Sequence, residues 1–217
     1  MTRQARISLV AAAVLVIAVV GLLGVSATRG GSEAPPVSEG ESRVVRGDSQ
    51  RLGPEGTSGV TFVEFLDFEC EGCLAAYPVV ERLRETYAGR VTFVVRHFPL
   101  HGNSERAARA AEAAGRQGAF EPMYRRLFES VQQWGHRDGP ADATFRRHAA
   151  ELGLDVDRFA DDFADPAVAE LVARDMADGL ALDVSGTPTF FVDGKRLEPR
   201  TVEDLARSLD AAIAARG

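Results

Sequence analysis

The order of predicted elements between residues 60 and 95 constrains the fold more than any other feature of this chain. Val60–Leu66 is rich in β-branched and aromatic residues and predicts a buried strand, although Glu64 lies inside it. Apolar residues spaced by three and four from Leu74 to Tyr87 predict a helix, and Val91–Val95 predicts a second strand. A strand, a helix and a strand in this order are expected to form a right-handed βαβ unit with parallel strands.

The remainder of the chain adds a helical block and a second, smaller β unit. Amphipathic and alanine-rich segments between about residues 103 and 182 predict a series of helices. Thr189–Val192 predicts a strand, Asp193-Gly194 is a strong two-residue hairpin turn, and Arg196-Leu197 would form the return strand. The run from Thr201 to Asp204 resembles a capping box and predicts the start of the last helix. The whole pattern is that of an α/β fold.

The composition is that of a globular protein without a basic surface for nucleic acid. Hydrophobic residues make up 45% and charged residues 26% of the 217 residues, which allows one ordinary domain with a sizeable core and a short appendage. The formal net charge is −7, so nucleic acid is not expected as a partner.

The N-terminal segment, residues 1–27, predicts a membrane anchor or an export signal. Arg3 and Arg6 precede a nineteen-residue apolar run, Ile7–Val25, which is long enough to span a bilayer as a helix. The small residues Val25-Ser26-Ala27 leave a cleaved signal peptide open as the alternative. By the positive-inside rule, the rest of the chain is expected outside the cytoplasm, either as a single-pass membrane protein or, after cleavage, as a secreted one.

A segment of different composition follows the apolar run. Residues 28–59 contain Gly30-Gly31 and Pro35-Pro36 together with scattered serine, glutamate and arginine. Such a stretch holds too little apolar surface to form a core, so it predicts a flexible tether that leads into the domain. The folded domain is then expected to occupy residues 60–217.

Cys70 and Cys73 are the only two cysteines in the sequence, and they admit three kinds of site. A zinc site would need two further ligands, for which His97 and His101 are the candidates. Pro99 between these histidines prevents a regular helix, and the two pairs lie about twice as far apart as in a zinc finger. A purely structural disulfide would close a very small loop and remove little entropy from the unfolded chain. Both interpretations are disfavoured, and neither a metal nor an organic cofactor is expected.

A redox-active pair accounts for the position of these cysteines. Cys70 falls where the predicted strand gives way to the predicted helix, so its sulfur faces the positive end of the helix dipole, which favours a thiolate. Cys73 follows one turn later and can attack a mixed disulfide on Cys70 to release a substrate. The pattern therefore predicts thiol–disulfide exchange, with Cys70 as the nucleophile and Cys73 as the resolving thiol.

From about Val44 to its C-terminus, the chain resembles the DsbA-like thioredoxin-fold oxidoreductases of bacterial envelopes. The matching runs are Val63–Cys70 with x-x-Cys73, Arg96–Leu100 with the alanine-rich helix after it, and Val184–Gly194. The resemblance implies a thioredoxin fold, made of β-α-β and β-hairpin-α halves, with an inserted helical block at about residues 103–182. It also implies a monomeric protein disulfide oxidoreductase that acts on exported, cysteine-bearing proteins. A membrane redox partner would reset its disulfide, which is the only redox group required.

The same resemblance assigns roles to residues outside the cysteine pair. Pro188 matches the family's cis-proline opposite the cysteines, and the backbone of Thr187 would pair with an extended substrate strand. Glu64 matches a buried carboxylate beneath the active site, where burial would raise its pKa into the range useful for proton exchange with Cys73. Pro78 matches the proline that kinks the active-site helix.

The residues between and beside the cysteines leave the direction of electron flow open. Strongly oxidising members of the family place a histidine before the second cysteine, whereas here Gly72 occupies that position and Glu71 precedes it. Glu69 and Glu71 flank Cys70, and like charge disfavours ionisation of the thiol. We therefore expect a weaker oxidant than the strongest members of the family. The expected role is disulfide formation or isomerisation in substrate proteins. A thioredoxin-like disulfide reductase and a non-catalytic peptide-binding or chaperone module on the same fold are the alternatives.

Overall fold

A computed structural model describes residues 42–216, which contain five strands and eight helices. The strands are β1 (Gln50–Arg51), β2 (Val60–Leu66), β3 (Val91–His97), β4 (Thr189–Val192) and β5 (Lys195–Arg196). The helices are α1 (Glu71–Thr86), α2 (Ser104–Gly115), α3 (Phe120–Glu129), α4 (Val131–Trp134), α5 (Asp142–Glu151), α6 (Val156–Ala164), α7 (Pro166–Ala181) and α8 (Val202–Ala214). This order confirms the predicted α/β fold, with a helical block between two β units.

The strands form one sheet in the order β1-β3-β2-β4-β5. β2 and β3 run parallel, as the βαβ prediction requires, and the other neighbouring pairs are antiparallel. Glu64, in the central strand β2, pairs in register with Val95 of β3 and Phe190 of β4. Asp193 and Gly194 have φ angles of 48° and 77°, the positive values that a two-residue type I′ hairpin turn requires.

Alternation along β2 divides its side chains between two cores on opposite faces of the sheet. Phe62 and Leu66 belong to the larger core, which α1, α8 and most of the helical block cover. Val63 and Phe65 belong to the smaller core, which α7 helps to close. Glu64 alternates with the first set, so its side chain lies on the face of the larger core, beneath α1.

The helical block runs from α2 to α7, residues 104–181, close to the predicted limits of 103 and 182. α2 is its central helix and packs against α3, α6 and α7. Its buried alanines have small side chains, so the neighbouring helices can approach closely; they are Ala107, Ala108, Ala110, Ala111, Ala113 and Ala114. The block therefore forms a packed layer beside the active-site end of the sheet.

The prediction that residues 28–59 form a flexible tether is wrong for residues 42–59. β1 in this segment pairs with β3, and Val44 is buried in the smaller core. Arg46 is also buried, and its guanidinium donates to both carboxylate oxygens of Asp178 in α7, at 2.5 Å and 2.7 Å. This partner lies 132 residues further along the chain, so local composition could not show that the segment packs onto the domain.

The predicted anchor or signal segment, residues 1–27, and the beginning of the predicted tether lie outside the described residues. Within residues 42–216, none of the helices has both the length and the apolar character needed to cross a bilayer. The membrane anchor therefore stays a prediction.

Candidate active site

Cys70 is the residue at which β2 gives way to the active-site helix. It is the N-cap of α1, with extended φ and ψ of −71° and 125°, and its carbonyl oxygen accepts the N–H of Leu74 at 2.9 Å. Its side chain is half-buried, and its thiol donates to the carbonyl oxygen of Thr187 at 3.2 Å. The structure thus places the sulfur at the helix N-terminus, as predicted, and against the loop before β4.

Cys73 lies behind Cys70 and is fully buried. Its sulfur accepts the backbone N–H of Asp67 at 3.4 Å, and the carbonyl oxygen of Asp67 accepts the N–H of Cys70 at 3.2 Å. Burial raises the pKa of the Cys73 thiol, and the nearby charge of Glu64 raises it further. The outer thiol is therefore open to a substrate, whereas the inner thiol is held away from solvent and favours its protonated form.

The loop opposite the cysteines contains the predicted cis-proline. The Thr187-Pro188 peptide bond is cis, and Thr187 lies across from Cys70 as the resemblance implied. Gly72 makes this approach close, because a Cβ atom at that position would lie 3.1 Å from Cδ of Pro188 and 3.3 Å from the carbonyl oxygen of Thr187. A larger side chain before Cys73 would therefore require Pro188 and the Thr187 carbonyl to shift by a few tenths of an ångström.

Glu64 is the buried carboxyl beneath the active site. The residue is 3% exposed, and burial raises its pKa to about 8, with a smaller contribution from the charge of Glu81. Within residues 42–216, no donor forms a hydrogen bond to its carboxyl group, and its partners in register, Val95 and Phe190, are apolar. The burial and the raised pKa agree with the sequence expectation; the catalytic role stays a prediction.

A second group of buried carboxylates lies on the side of the helical block. Oδ1 of Asp67 accepts the N–H of Glu69 at 2.8 Å and the hydroxyl of Ser104. Oδ2 accepts the N–H of Leu100 at 2.8 Å and bonds Nδ1 of His101 at 2.6 Å. The hydrogen bond to Asp67 raises the pKa of His101. We call the residues of this group, Asp67, Glu69, His101, Asn103 and Ser104, the insert-side network.

Glu69 differs from the sequence expectation, which treated it as a charge beside the Cys70 thiol. Its side chain is buried, and Oε2 accepts the N–H of Asn103 at 2.5 Å and the hydroxyl of Ser104 at 3.1 Å. Oε1 accepts the N–H of His136 at 2.7 Å. Glu71, by contrast, has a 79% exposed side chain 3.5 Å from Nε2 of His136. Only one of the two flanking acids therefore faces solvent, and a histidine of the helical block lies beside it.

The two histidines considered as zinc ligands have other partners. Nε2 of His97 lies 2.8 Å from Glu112, and Nδ1 of His101 is bonded to Asp67. In the part of the chain that the structure describes, no group of three or more histidine, cysteine, aspartate and glutamate side chains is arranged to hold a metal ion. Sequence reasoning missed the insert-side network, and its only local signal was the unusual number of acids between positions 67 and 71.

Comparison with known proteins assigns the chain to a class. A sequence model of the family described as Thioredoxin matches residues 49–211. The match covers well over half of the chain, so the chain belongs to the thioredoxin family. The site agrees with this class, because two thiols at a helix N-terminus face a cis-proline loop.

Two solved structures define the class further. The thioredoxin-like oxidoreductase from Silicibacter pomeroyi DSS-3 is 33% identical with a TM-score of 0.64, over 77% of this chain and 93% of that one. The structure of alpha-DsbA1 from Wolbachia pipientis is 19% identical with a TM-score of 0.69, over 81% of this chain and 98% of that one. The fold is therefore a DsbA-like thioredoxin fold, which confirms the resemblance seen in the sequence.

The curated relatives are longer proteins. The Na(+)/H(+) antiporter NhaA of Herminiimonas arsenicoxydans is 43% identical over 147 residues, which are 67% of this chain and 22% of that protein. Across the curated relatives that it matches, the chain spans 22–34% of their length. Most of each relative lies outside the match, so its antiport is not carried over to this chain.

Proposed function

We propose that this protein is an extracytoplasmic thiol–disulfide oxidoreductase that exchanges a Cys70–Cys73 disulfide with the thiols of substrate proteins. The observation that carries the proposal is the arrangement of the two sulfurs. The sulfur of Cys70 is accessible at the N-terminus of α1 and touches the cis-proline loop, while that of Cys73 is buried behind it. Such an arrangement lets a substrate reach only the outer sulfur.

In the oxidising direction, a substrate thiolate attacks the sulfur of Cys70 and the Cys70–Cys73 bond breaks. A mixed disulfide forms on Cys70, and Cys73 leaves as a thiolate. A second substrate thiolate then attacks the substrate sulfur of the mixed disulfide and releases Cys70. The substrate gains a disulfide, the enzyme keeps two reduced cysteines, and two electrons have passed from substrate to enzyme. Reduction of a substrate disulfide is the same sequence in reverse.

Glu64 would manage the proton on the inner thiol. The pKa of Cys73 is raised, so the thiolate that leaves must take up a proton promptly. Glu64, with a pKa of about 8, is protonated at neutral pH and can supply that proton. In the reverse direction, its carboxylate would remove the proton when Cys73 attacks the mixed disulfide.

The loop that contains Thr187 and Pro188 would dock the substrate. An extended peptide beside Cys70 could pair with the Thr187 backbone and so add a strand next to the disulfide. Substrates would be exported proteins with cysteines, and a membrane redox partner would reset the pair. The proposed location is outside the cytoplasm, with residues 1–27 as anchor or cleaved signal.

A trapping experiment tests this function. In a Cys73→Ala variant, the resolving thiol is absent, so mixed disulfides with substrate proteins should accumulate on Cys70 and disappear on reduction. Adding Cys70→Ser to that variant is the matched control and should trap nothing. If the Cys73→Ala variant traps no protein and the wild-type pair stays in one redox state in cells, a binding or chaperone module is the better description.

A further inference from the structure

A surface cavity of about 570 Å³ lies between the loop after β3 and helix α7. Its volume is within the range of cavities that bind ligands in other proteins. Its lining is mainly apolar and includes Pro99, Leu100, Val172 and Met176. Leu100 is 47% exposed, so an apolar group placed in the cavity would bury surface that the described part of the chain leaves in water.

The wall of this cavity is joined to the cysteines through Asp67. The N–H of Leu100 donates to Oδ2 of Asp67 at 2.8 Å, and Nδ1 of His101 bonds the same oxygen at 2.6 Å. The carbonyl oxygen of Asp67 accepts the N–H of Cys70 at 3.2 Å. β2 and β3 are parallel, so the loops that follow them lie at the same edge of the sheet. A polypeptide bonded to Cys70 therefore lies next to the cavity.

The rim of the cavity is acidic. Glu170 of α7 is exposed and has no hydrogen-bond or ion-pair partner within residues 42–216. Glu105 of α2 has a 62% exposed side chain 3.6 Å from Arg109, an ion pair that water weakens. Among the described residues, no arginine or lysine lines the cavity, and the one histidine, His101, is bonded to Asp67. The rim therefore attracts a positive charge.

We propose that this cavity receives an apolar side chain of the substrate polypeptide, with a neighbouring basic side chain bound at Glu170, while the substrate cysteine reacts at Cys70. The inference rests on the proposed thiol–disulfide exchange and names the substrate segment that the enzyme prefers. Proteins that have not yet gained their disulfides are incompletely folded, so they expose apolar side chains. A second copy of this chain fits the rim less well, because it carries a net charge of −7.

Short peptides with two cysteines test this preference on the oxidised, full-length protein. In the reaction, the two peptide thiols become a disulfide and the Cys70–Cys73 disulfide becomes two thiols. One series places a leucine–arginine pair at successive positions on either side of the first cysteine, and matched series carry serine–arginine or leucine–glutamate. At the best position, the leucine–arginine peptide should react about tenfold faster than the serine–arginine peptide. Dithiothreitol, which is too small to fill the cavity, supplies the reference rate.

Substitutions in the cavity should change this selectivity. In Leu100→Ser, the ratio of the rate with the leucine–arginine peptide to the rate with dithiothreitol should fall about fivefold. Leu180→Ser is the matched control, because Leu180 is 54% exposed on α7 but does not line the cavity, and it should keep the wild-type ratio. Glu170→Lys should reverse the preference between the leucine–arginine and leucine–glutamate peptides, most clearly at low salt.

Two results would overturn the proposal. One is a wild-type protein that reacts equally with all the peptides, and the other is an equal loss of selectivity in Leu100→Ser and Leu180→Ser. Absence of wild-type exchange with dithiothreitol and with every peptide would instead refute the proposed function. The cavity would then be tested by titration with peptides whose cysteines are replaced by serine. Wild type should bind the leucine–arginine peptide more tightly than the serine–arginine peptide, and equal binding would again overturn the proposal.

Discussion

Two kinds of buried carboxyl group lie beside the cysteines and differ in their surroundings: those of the insert-side network, and the single carboxyl of Glu64. On the side of the helical block, each carboxylate oxygen of Asp67 and Glu69 accepts at least one hydrogen bond, and these bonds hold the loops after β2 and β3. On the sheet side, Glu64 lies against apolar neighbours with no donor among residues 42–216. The carboxylates of Asp67 and Glu69 hold the loops around the site in place, whereas the carboxyl of Glu64 can gain or lose a proton near neutral pH.

The contrast teaches that burial alone does not make a carboxylate reactive. A buried carboxylate with enough donors is a structural acceptor, and its removal leaves those donors unpaired. A buried carboxyl without donors keeps its proton to an unusually high pH and becomes suited to acid–base work near neutrality. The two groups should therefore respond differently to substitution and to pH.

The largest expected difference is in how stability depends on pH. The pKa of Glu64 is about 8 in the folded protein against 4.5 ordinarily, so the folded state binds this proton more tightly than the unfolded state. The stability that this proton provides is full below pH 4.5 and is lost as the pH rises through 8, on the order of 5 kcal/mol in total. Glu64→Gln should remove this loss, as measured by urea unfolding between pH 4.5 and 9.

Comparing Glu64→Gln with wild type separates the pH dependence of stability due to Glu64 from that due to other titratable groups. The pKa of His101 is also raised, so its contribution to stability is likewise lost as the pH rises, but it is present in both proteins. Glu85→Gln, on the exposed side of the same helix, should keep the wild-type pH dependence. Identical pH profiles for Glu64→Gln and wild type would contradict the assignment of a reactive carboxyl.

The next effect concerns the insert-side network at constant pH. Asp67→Ala leaves the N–H groups of Glu69 and Leu100 and the side chain of His101 without their acceptor. We expect a loss of about 3 kcal/mol in the free energy of unfolding, measured at pH 7 with urea. Asp138→Ala, at an exposed position, is the control and should change little. A loss no larger than the control's would show that the network does not hold the site.

Substitution of Asp67 is expected to act mainly on stability, whereas substitution of Glu64 is expected to act mainly on the rate of thiol–disulfide exchange at pH 7. Glu64→Gln removes the acid that we propose protonates Cys73, so exchange with a dithiol at pH 7 should slow by about a hundredfold while the protein stays folded. Rapid acid quenching followed by alkylation of the free thiols can follow the reaction. Wild-type rates in Glu64→Gln would mean that the proton of Cys73 comes from elsewhere.

The smallest effect is expected at the exposed acid between the cysteines. The side chain of Glu71 is exposed at the surface, so its charge is screened by solvent. Glu71→Gln should make the reduction potential more oxidising by only about 10 mV. The matched Glu85→Gln change should leave the potential unaltered, and a shift of 60 mV or more for Glu71→Gln would show that this acid dominates the redox chemistry.

Sequence reasoning predicted what depends on local pattern. The βαβ unit, the hairpin at Asp193-Gly194 and the position of Cys70 at the start of α1 followed from periodicity and turn chemistry. The family resemblance supplied the cis-proline and the burial of Glu64. These features are encoded by residues close together in the chain.

What the sequence did not predict depends on contacts between distant segments. The sequence around Glu69 suggests a charge at the surface. Its carboxylate is instead buried, where it accepts hydrogen bonds from Asn103 and Ser104. Arg46 lies in a polar stretch of the sequence but is buried, with its guanidinium bonded to Asp178 of α7. The buried hydroxyl of Tyr124 in α3, which has no hydrogen-bond partner within residues 42–216, likewise results from packing between segments. Such partners cannot be read from spacing within one segment.

The most direct test of the account is the redox equilibrium of the cysteine pair in glutathione buffers. We predict one two-electron transition, absent in Cys70→Ser, with a midpoint more reducing than about −120 mV, because no histidine precedes Cys73. A pair that shows no transition would contradict the proposed activity. A midpoint as oxidising as about −120 mV would contradict the expectation that Gly72 and Glu71 make this protein a weaker oxidant.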